Sequence, residues 1–168
     1  MIDSVKIPGM RMAVLIGKNA ATKRMIEKTL GVKLDIRDGV SIEGEPLNVM
    51  DAKNVVLAIG RGFSPENAIL LASEENTLCI IYLSKDEKKQ KRLKSRIIGE
   101  AGRTRENIER ITGVHISIYG KTVAIIGEYE AVDITRQAIE QFMKGFSHRS
   151  VYAFLEKWRA GNPKNKHR

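Results

Sequence analysis

The apolar positions of this chain run through one sequence of periods twice. Residues 4–8 alternate, with Val5 and Ile7 against polar neighbours, and predict a short strand. Residues 11–16 and 21–30 carry helical spacing on either side of Gly17-Lys18-Asn19-Ala20, and Gly31 stands where a helix C-terminus favours a left-handed residue. Period two returns over residues 32–36. Asp38-Gly39 and residues 43–46 are turn chemistry, and residues 54–59 predict the next strand. Ser64-Pro65 then supplies the cap and first-turn proline of a helix over 66–72. The second run opens at 78–83, an uninterrupted apolar strand expected at a central, covered position. Ser84 is the expected cap of a basic helix that ends in Ile97-Ile98. Gly99-Glu100-Ala101-Gly102 follows, then a helix over 103–112 closed by Gly113. Strands over 114–118 and 122–126 flank Tyr119-Gly120-Lys121. An amphipathic helix spans 129–143, and Ser147 caps a last helix over 150–159.

The two runs are copies. VLIGKNAATKRMIEKTLGVKLDI, residues 14–36, aligns with RIIGEAGRTRENIERITGVHISI, residues 96–118, at a spacing of 82 that pairs Gly17 with Gly99, Thr22 with Thr104 and Glu27 with Glu109. Val56–Gly60 matches Val123–Gly127 at a spacing of 67, so the first copy is expected to carry 15 extra residues between its matching segments. Repetition at this length predicts two tandem α/β (α+β) units, each a three-stranded sheet packed on three helices, and not a solenoid. The expected division is 1–75, 76–146, a closing helix over 147–160 and a basic tail over 161–168.

Charge separates the copies. Residues 1–75 hold ten Lys and Arg against ten Asp and Glu, so the whole formal charge of +9 lies in residues 76–168. Such an asymmetry points to a polyanion and assigns it to the second copy. No apolar run approaches a membrane span and no charged-then-apolar leader opens the chain, so a cytoplasmic chain is expected, or a nucleolar one in a eukaryote. One cysteine, Cys79, permits no internal disulfide and is expected as a buried strand thiol. His115, His148 and His167 lack metal-ligand spacing, no Walker loop is present, and no catalytic constellation follows from spacing, so neither metal, cofactor nor enzyme activity is expected.

The Gly99–Gly102 turn carries the chemistry. A Gly-x-x-Gly turn between helices lets a nucleic-acid backbone approach, because glycine has no side chain, and a helix N-terminus beside it offers N–H groups to phosphate. With IIGEAGRTRENIERITG and the order strand–helix–loop–helix–strand–strand–helix, the chain resembles tandem KH domains of eukaryotic type. Its two-unit layout and the closing segment GFSHRSVYAFLEKW resemble the small-subunit ribosome assembly factor of archaea and eukaryotes that partners the nuclease maturing the 3′ end of small-subunit rRNA. That resemblance implies non-catalytic binding of single-stranded RNA near that end, with the nuclease as protein partner; a monomer is expected.

The expected RNA contacts are Gly99, Glu100, Ala101, Gly102, Arg103 and Arg105, with Lys88, Arg92 and Arg96 as a basic stripe pointing along the helix toward the turn. Ile98 and Ile118 are the apolar edge for unstacked bases. Glu100 stands where lysine or arginine is usual and is expected to turn to solvent or toward Arg103. Both turn glycines are expected to accept substitution without loss of fold. The first turn, Gly17, Lys18, Asn19 and Ala20 with Lys23 nearby, lacks its second glycine and is assigned a secondary RNA or protein contact. Two other classes fit the same residues: a protein-interaction scaffold docking through residues 151–158, and a KH protein of RNA decay or transcription.

Overall fold

The computed structural model describes residues 1–162, and the expected tail over 161–168 falls almost wholly outside them. Two compact units divide at Leu78/Cys79. In the first unit β1 (Ile2–Val5) leads to α1 (Gly9–Ile16) and, across the first turn, to α2 (Ala21–Leu30). A hairpin of β2 (Lys33–Ile36) and β3 (Val40–Glu43) follows, then α3 (Pro46–Gly60) and α4 (Pro65–Ala68) with a 3-10 turn over Ile69–Ala72. The sheet order is β1-β3-β2, antiparallel throughout, with Val5 opposite Val40 and Ile36 opposite Val40.

The expected strand over 54–59 is the second half of α3. Its apolar run is continuous because α3 meets the sheet on one side and α1, α2 and the 3-10 turn on others, burying Val49, Ala52, Val55, Val56, Ala58 and Ile59. A short apolar run of this kind does not separate helix from buried strand. The third strand is instead β3, which the turn residues around it concealed. The 15-residue insertion consequently disappears, since α3 begins 83 residues before α7 begins and ends 83 residues before α7 ends. Asp38-Gly39 is the hairpin turn, closed by the Arg37 N–H donating to the Gly39 carbonyl at 2.9 Å.

The second unit is built from β4 (Asn76–Tyr82), α5 (Glu87–Ile98), α6 (Arg103–Thr112), β5 (His115–Tyr119), β6 (Thr122–Glu128), α7 (Tyr129–Met143) and α8 (His148–Gly161). Sheet order is β4-β6-β5, so the apolar run of β4 lies at an edge and the buried β6 takes the centre. Asp86, not Ser84, caps α5. Its carboxylate accepts from the Lys88 and Lys89 N–H groups, while the Ser84 hydroxyl accepts from the Asp86 N–H. Ser147 caps α8, as expected, by accepting from the Ser150 N–H at 3.1 Å.

The core of this unit joins Ile97, Ile108, Ile125, Ile139 and Phe142 with Val151 and Leu155 of α8, all essentially without solvent access. The closing helix therefore completes the second unit's core by packing on α6 and α7. Truncating a buried aliphatic side chain of this kind to alanine costs about 2–5 kcal/mol. Cys79 is half-buried against this core, and burial raises its thiol pKa above the ordinary value.

Candidate nucleic-acid interface

α5 ends because Gly99 adopts φ 75° and ψ 174°, a backbone shape that L side chains rarely take, while its N–H still donates to the Ser95 carbonyl at 2.9 Å. Ala101 and Gly102 follow at φ 54° and 75°, and Gly102 donates to the Gly99 carbonyl at 3.2 Å. The chain thus reverses in three residues and enters α6 from a left-handed N-cap that has no side-chain cap. The Arg103 N–H donates to the Glu100 carbonyl, and the N–H groups that follow it in the first turn of α6 have no intrahelical acceptor and can serve an anion.

The two glycines do different work. A Cβ on Gly99 would lie 2.7 Å from the Thr104 Cβ and 2.8 Å from the Thr104 backbone nitrogen, inside contact distance of a buried residue. A Cβ on Gly102 would meet nothing within 4 Å. Gly99 is therefore needed for packing, which corrects the expectation that both glycines accept substitution. Gly102 leaves open space at the surface, and that space is what a phosphate backbone requires.

Around the turn, Glu100, Ala101 and Arg103 are exposed, and Ile98 is exposed by 37% beside the largely buried Ile97. Ile118 is half-buried and packs against the core, so its apolar edge reaches the surface only in part. Arg105 is bound to Glu109 at 3.4 Å, and the other Glu109 oxygen accepts from the Ile116 N–H at 3.0 Å, tying α6 to strand β5. The first copy repeats this tie, Glu27 accepting from the Leu34 N–H at 2.9 Å. The paired glutamates of the repeat are thus structural.

The basic stripe divides. Lys88 and Arg92 are exposed, but Arg96 turns inward, donating to the Phe142 carbonyl at 3.1 Å and to the Phe146 carbonyl, with its guanidinium 5.3 Å from the centre of the Phe142 ring. His148 Nε2 contacts the Arg96 carbonyl at 3.0 Å. Arg96 therefore clamps the C-terminus of α7, where the dipole favours a cation, adding a charged donor to the Phe142 carbonyl, which also accepts from the Gly145 N–H at 3.0 Å. Arg11 does the same to α3 through the Ile59 and Phe63 carbonyls, at 2.7 and 2.8 Å. No local sequence pattern announces either clamp, because partners lie 46 to 52 residues apart. Of the stripe, Arg92 lies on the flank of α5 beside this clamp, near Phe142 and Met143.

The first turn has the same backbone. Gly17 stands at φ 76° and ψ 173°, and Asn19 and Ala20 at φ 55° and 60°. Lys18 and Asn19 are exposed, Lys23 is half-buried, and the Ala20 methyl occupies the position that Gly102 leaves bare. Among the described residues no cluster of three or more His, Cys, Asp or Glu could hold a metal ion, and no helix is long and apolar enough to cross a membrane.

Helix–turn–helix elements of this geometry on three-stranded sheets in the order β1-β3-β2, twice over, define a tandem KH architecture. Residues 73–160 match the family model described as eukaryotic type KH-domain (KH-domain type I), and residues 2–58 match the KH domain model. The chain belongs to the KH family, of eukaryotic type. Within that family it is 48% identical over 169 residues to a KH domain-containing protein of Methanocaldococcus jannaschii, a match spanning 94% of this chain and 74% of that protein. Among solved structures it is similar to Dim2p from Pyrococcus horikoshii OT3, at 46% identity and a TM-score of 0.88 over 94% of this chain and 99% of that one. A chain in the a/eIF2alpha-aDim2p-rRNA complex of the same organism gives 45% identity and a TM-score of 0.90 over 96% of each.

Proposed function

We propose that this chain is a non-catalytic binder of single-stranded RNA that engages small-subunit rRNA or its precursor near the 3′ end during ribosome assembly. The carrying observation is the Gly99–Gly102 turn, whose second glycine faces open space beside the uncapped N-terminus of α6. A KH turn clamps about four nucleotides by their backbone. Glycine at 102 admits the backbone, α6 supplies N–H groups, Arg103 adds charge, and Ile98 offers an apolar edge to a base. The net charge of residues 76–168 supports the same assignment, since counterion release from phosphates drives such binding. That a similar chain was crystallised with rRNA favours rRNA as the target.

The same complex pairs aDim2p with a/eIF2alpha, which favours a protein partner as well. The maturation nuclease is a second candidate partner on the family resemblance. The first unit, with balanced charge and the Ala20 methyl in its turn, fits protein contact better than RNA contact. The expected setting is the cytoplasm, or the nucleolus in a eukaryote. Ultraviolet crosslinking in the source cells, followed by sequencing of the bound fragments, should recover small-subunit rRNA 3′ sequences joined to residues around 98–105. Fragments drawn evenly from cellular RNA, or crosslinks confined to the first unit, would refute the reading.

A further inference from the structure

Beyond the turn, the second unit holds a cavity of about 400 Å³ between α5 and the end of α7. One wall is cationic, Lys89 and Arg92, with the engaged Arg96 at its foot. The other is apolar, Leu93 of α5 and Met143 of α7. Leu93 is half-buried against the core, whereas Met143 is exposed by 46%. Lys144 and Arg149 are exposed at the adjoining helix ends. Cations above an apolar ledge fit a ligand that is anionic at one end and flat and weakly polar at the other, as a nucleotide is.

The cavity is not part of the groove at the turn. Lys89 and Ile98 are nine residues apart on α5, two and a half helical turns, so they face opposite sides of the helix. From Lys89 to Gly99 the helix rises about 15 Å, a span that a few nucleotides of single strand cross. Of the exposed charge on α5, Arg92 lines this cavity together with Lys89.

We propose that this cavity is a second nucleotide subsite, taking RNA that runs on past the turn, with a phosphate held by Lys89 and Arg92 and a base laid against Leu93 and Met143. The proposal rests on the RNA-binding reading above, and charge complementarity selects RNA as the occupant. An acidic protein segment is the competing occupant, and the test separates the two.

Two labelled RNAs carrying the 3′-terminal sequence of small-subunit rRNA, four and twelve nucleotides long, are titrated against the full chain by fluorescence anisotropy. The longer RNA should bind at least tenfold more tightly than the shorter. Lys89→Glu should remove most of that gain and Met143→Ala should reduce it about threefold, while both leave the four-nucleotide RNA within twofold of wild type. Lys157→Glu, which removes the same charge from α8, should keep most of the gain. Equal losses from Lys157→Glu and Lys89→Glu would reduce the effect to general electrostatics and overturn the subsite. An unchanged gain in both Lys89→Glu and Met143→Ala would overturn it too. Oligoglutamate that binds the wild type but not Lys89→Glu, with no loss of RNA gain in that variant, would assign the cavity to an acidic protein segment. If the wild type binds neither RNA, the RNA-binding reading fails first, and distinguishably.

Discussion

Substituting the two turn glycines separately should give opposite phenotypes. Gly102→Asp places its Cβ in open space, so its structural cost is the left-handed backbone alone, about 1 kcal/mol for a non-glycine residue and less for Asp. Its effect on RNA is electrostatic. A carboxylate about 5 Å from the incoming phosphate is unfavourable by about 0.8 kcal/mol in bulk water and about 3 kcal/mol at the effective dielectric of a protein surface. With the backbone also held off by the side chain, affinity should fall about tenfold or more, about 1.4 kcal/mol. Gly99→Ala has the converse profile. Its methyl would overlap the buried Thr104 and its backbone nitrogen, adding overpacking of about 1–3 kcal/mol to a strain of about 1–2 kcal/mol. At about 4–8 °C per kcal/mol for a domain of this size, the second unit should melt roughly 10 °C lower or more. Calorimetry and anisotropy on the same two proteins check both halves. The reasoning is refuted if folded Gly102→Asp binds RNA as wild type does, or if Gly99→Ala leaves the melting temperature unmoved.

Residues 76–168 alone should retain most of the RNA affinity, and an equally competent 1–75 fragment would contradict the charge argument. Arg96→Ala should destabilise the second unit by about 1–3 kcal/mol, since two carbonyls at the end of α7 lose their charged donor; Arg96→Lys should not restore it, because one ammonium cannot span both with a planar fork. Truncation after Gly145 removes the fully buried Val151 and Leu155 and should unfold the second unit, read as loss of the cooperative melt; a stable, RNA-competent remainder would show that α8 serves docking alone. Ala20→Gly should stabilise the first unit by up to about 1 kcal/mol by relieving a left-handed alanine, and a lower melting temperature would refute that strain.

What the sequence shows depends on the range of the interaction that decides each element. The turn at 99–102, the helices at 21–30, 103–112 and 129–143 and the Ser147 cap are set within a few residues, and they are legible. The third strand of the first unit was misread because β3 is four residues long between turn signals, while α3 is apolar on several sides and imitates a buried strand. The rank of β4 was misread for a related reason. An apolar run reports that both faces are covered to some degree, and strand order is fixed by distant partners. Arg96 shows the same limit at the site. Its place in an i, i+4 stripe suggested a phosphate ligand, but its hydrogen bonds go to carbonyls 46 and 50 residues away.

The two turns show which part of the Gly-x-x-Gly pattern belongs to the fold and which to the ligand. Both copies hold their first glycine over a threonine, Gly17 above Thr22 and Gly99 above Thr104, with the threonine backbone nitrogen 2.8 Å from any added Cβ in each. Both then pass through two left-handed residues into the next helix, although the first copy must place Asn19 and Ala20 there. A conformation that survives an unfavourable alanine is imposed by its surroundings, here the glycine–threonine contact and the docking of α1 and α2 on the core. The turn shape therefore persists without RNA to select it. What the second copy adds is bare backbone at Gly102 and a basic surface, the two features that a phosphate chain needs and a protein core does not. On that division, restoring glycine at position 20 makes the first turn accessible without making its neutral unit basic, and accessibility alone should confer little RNA affinity.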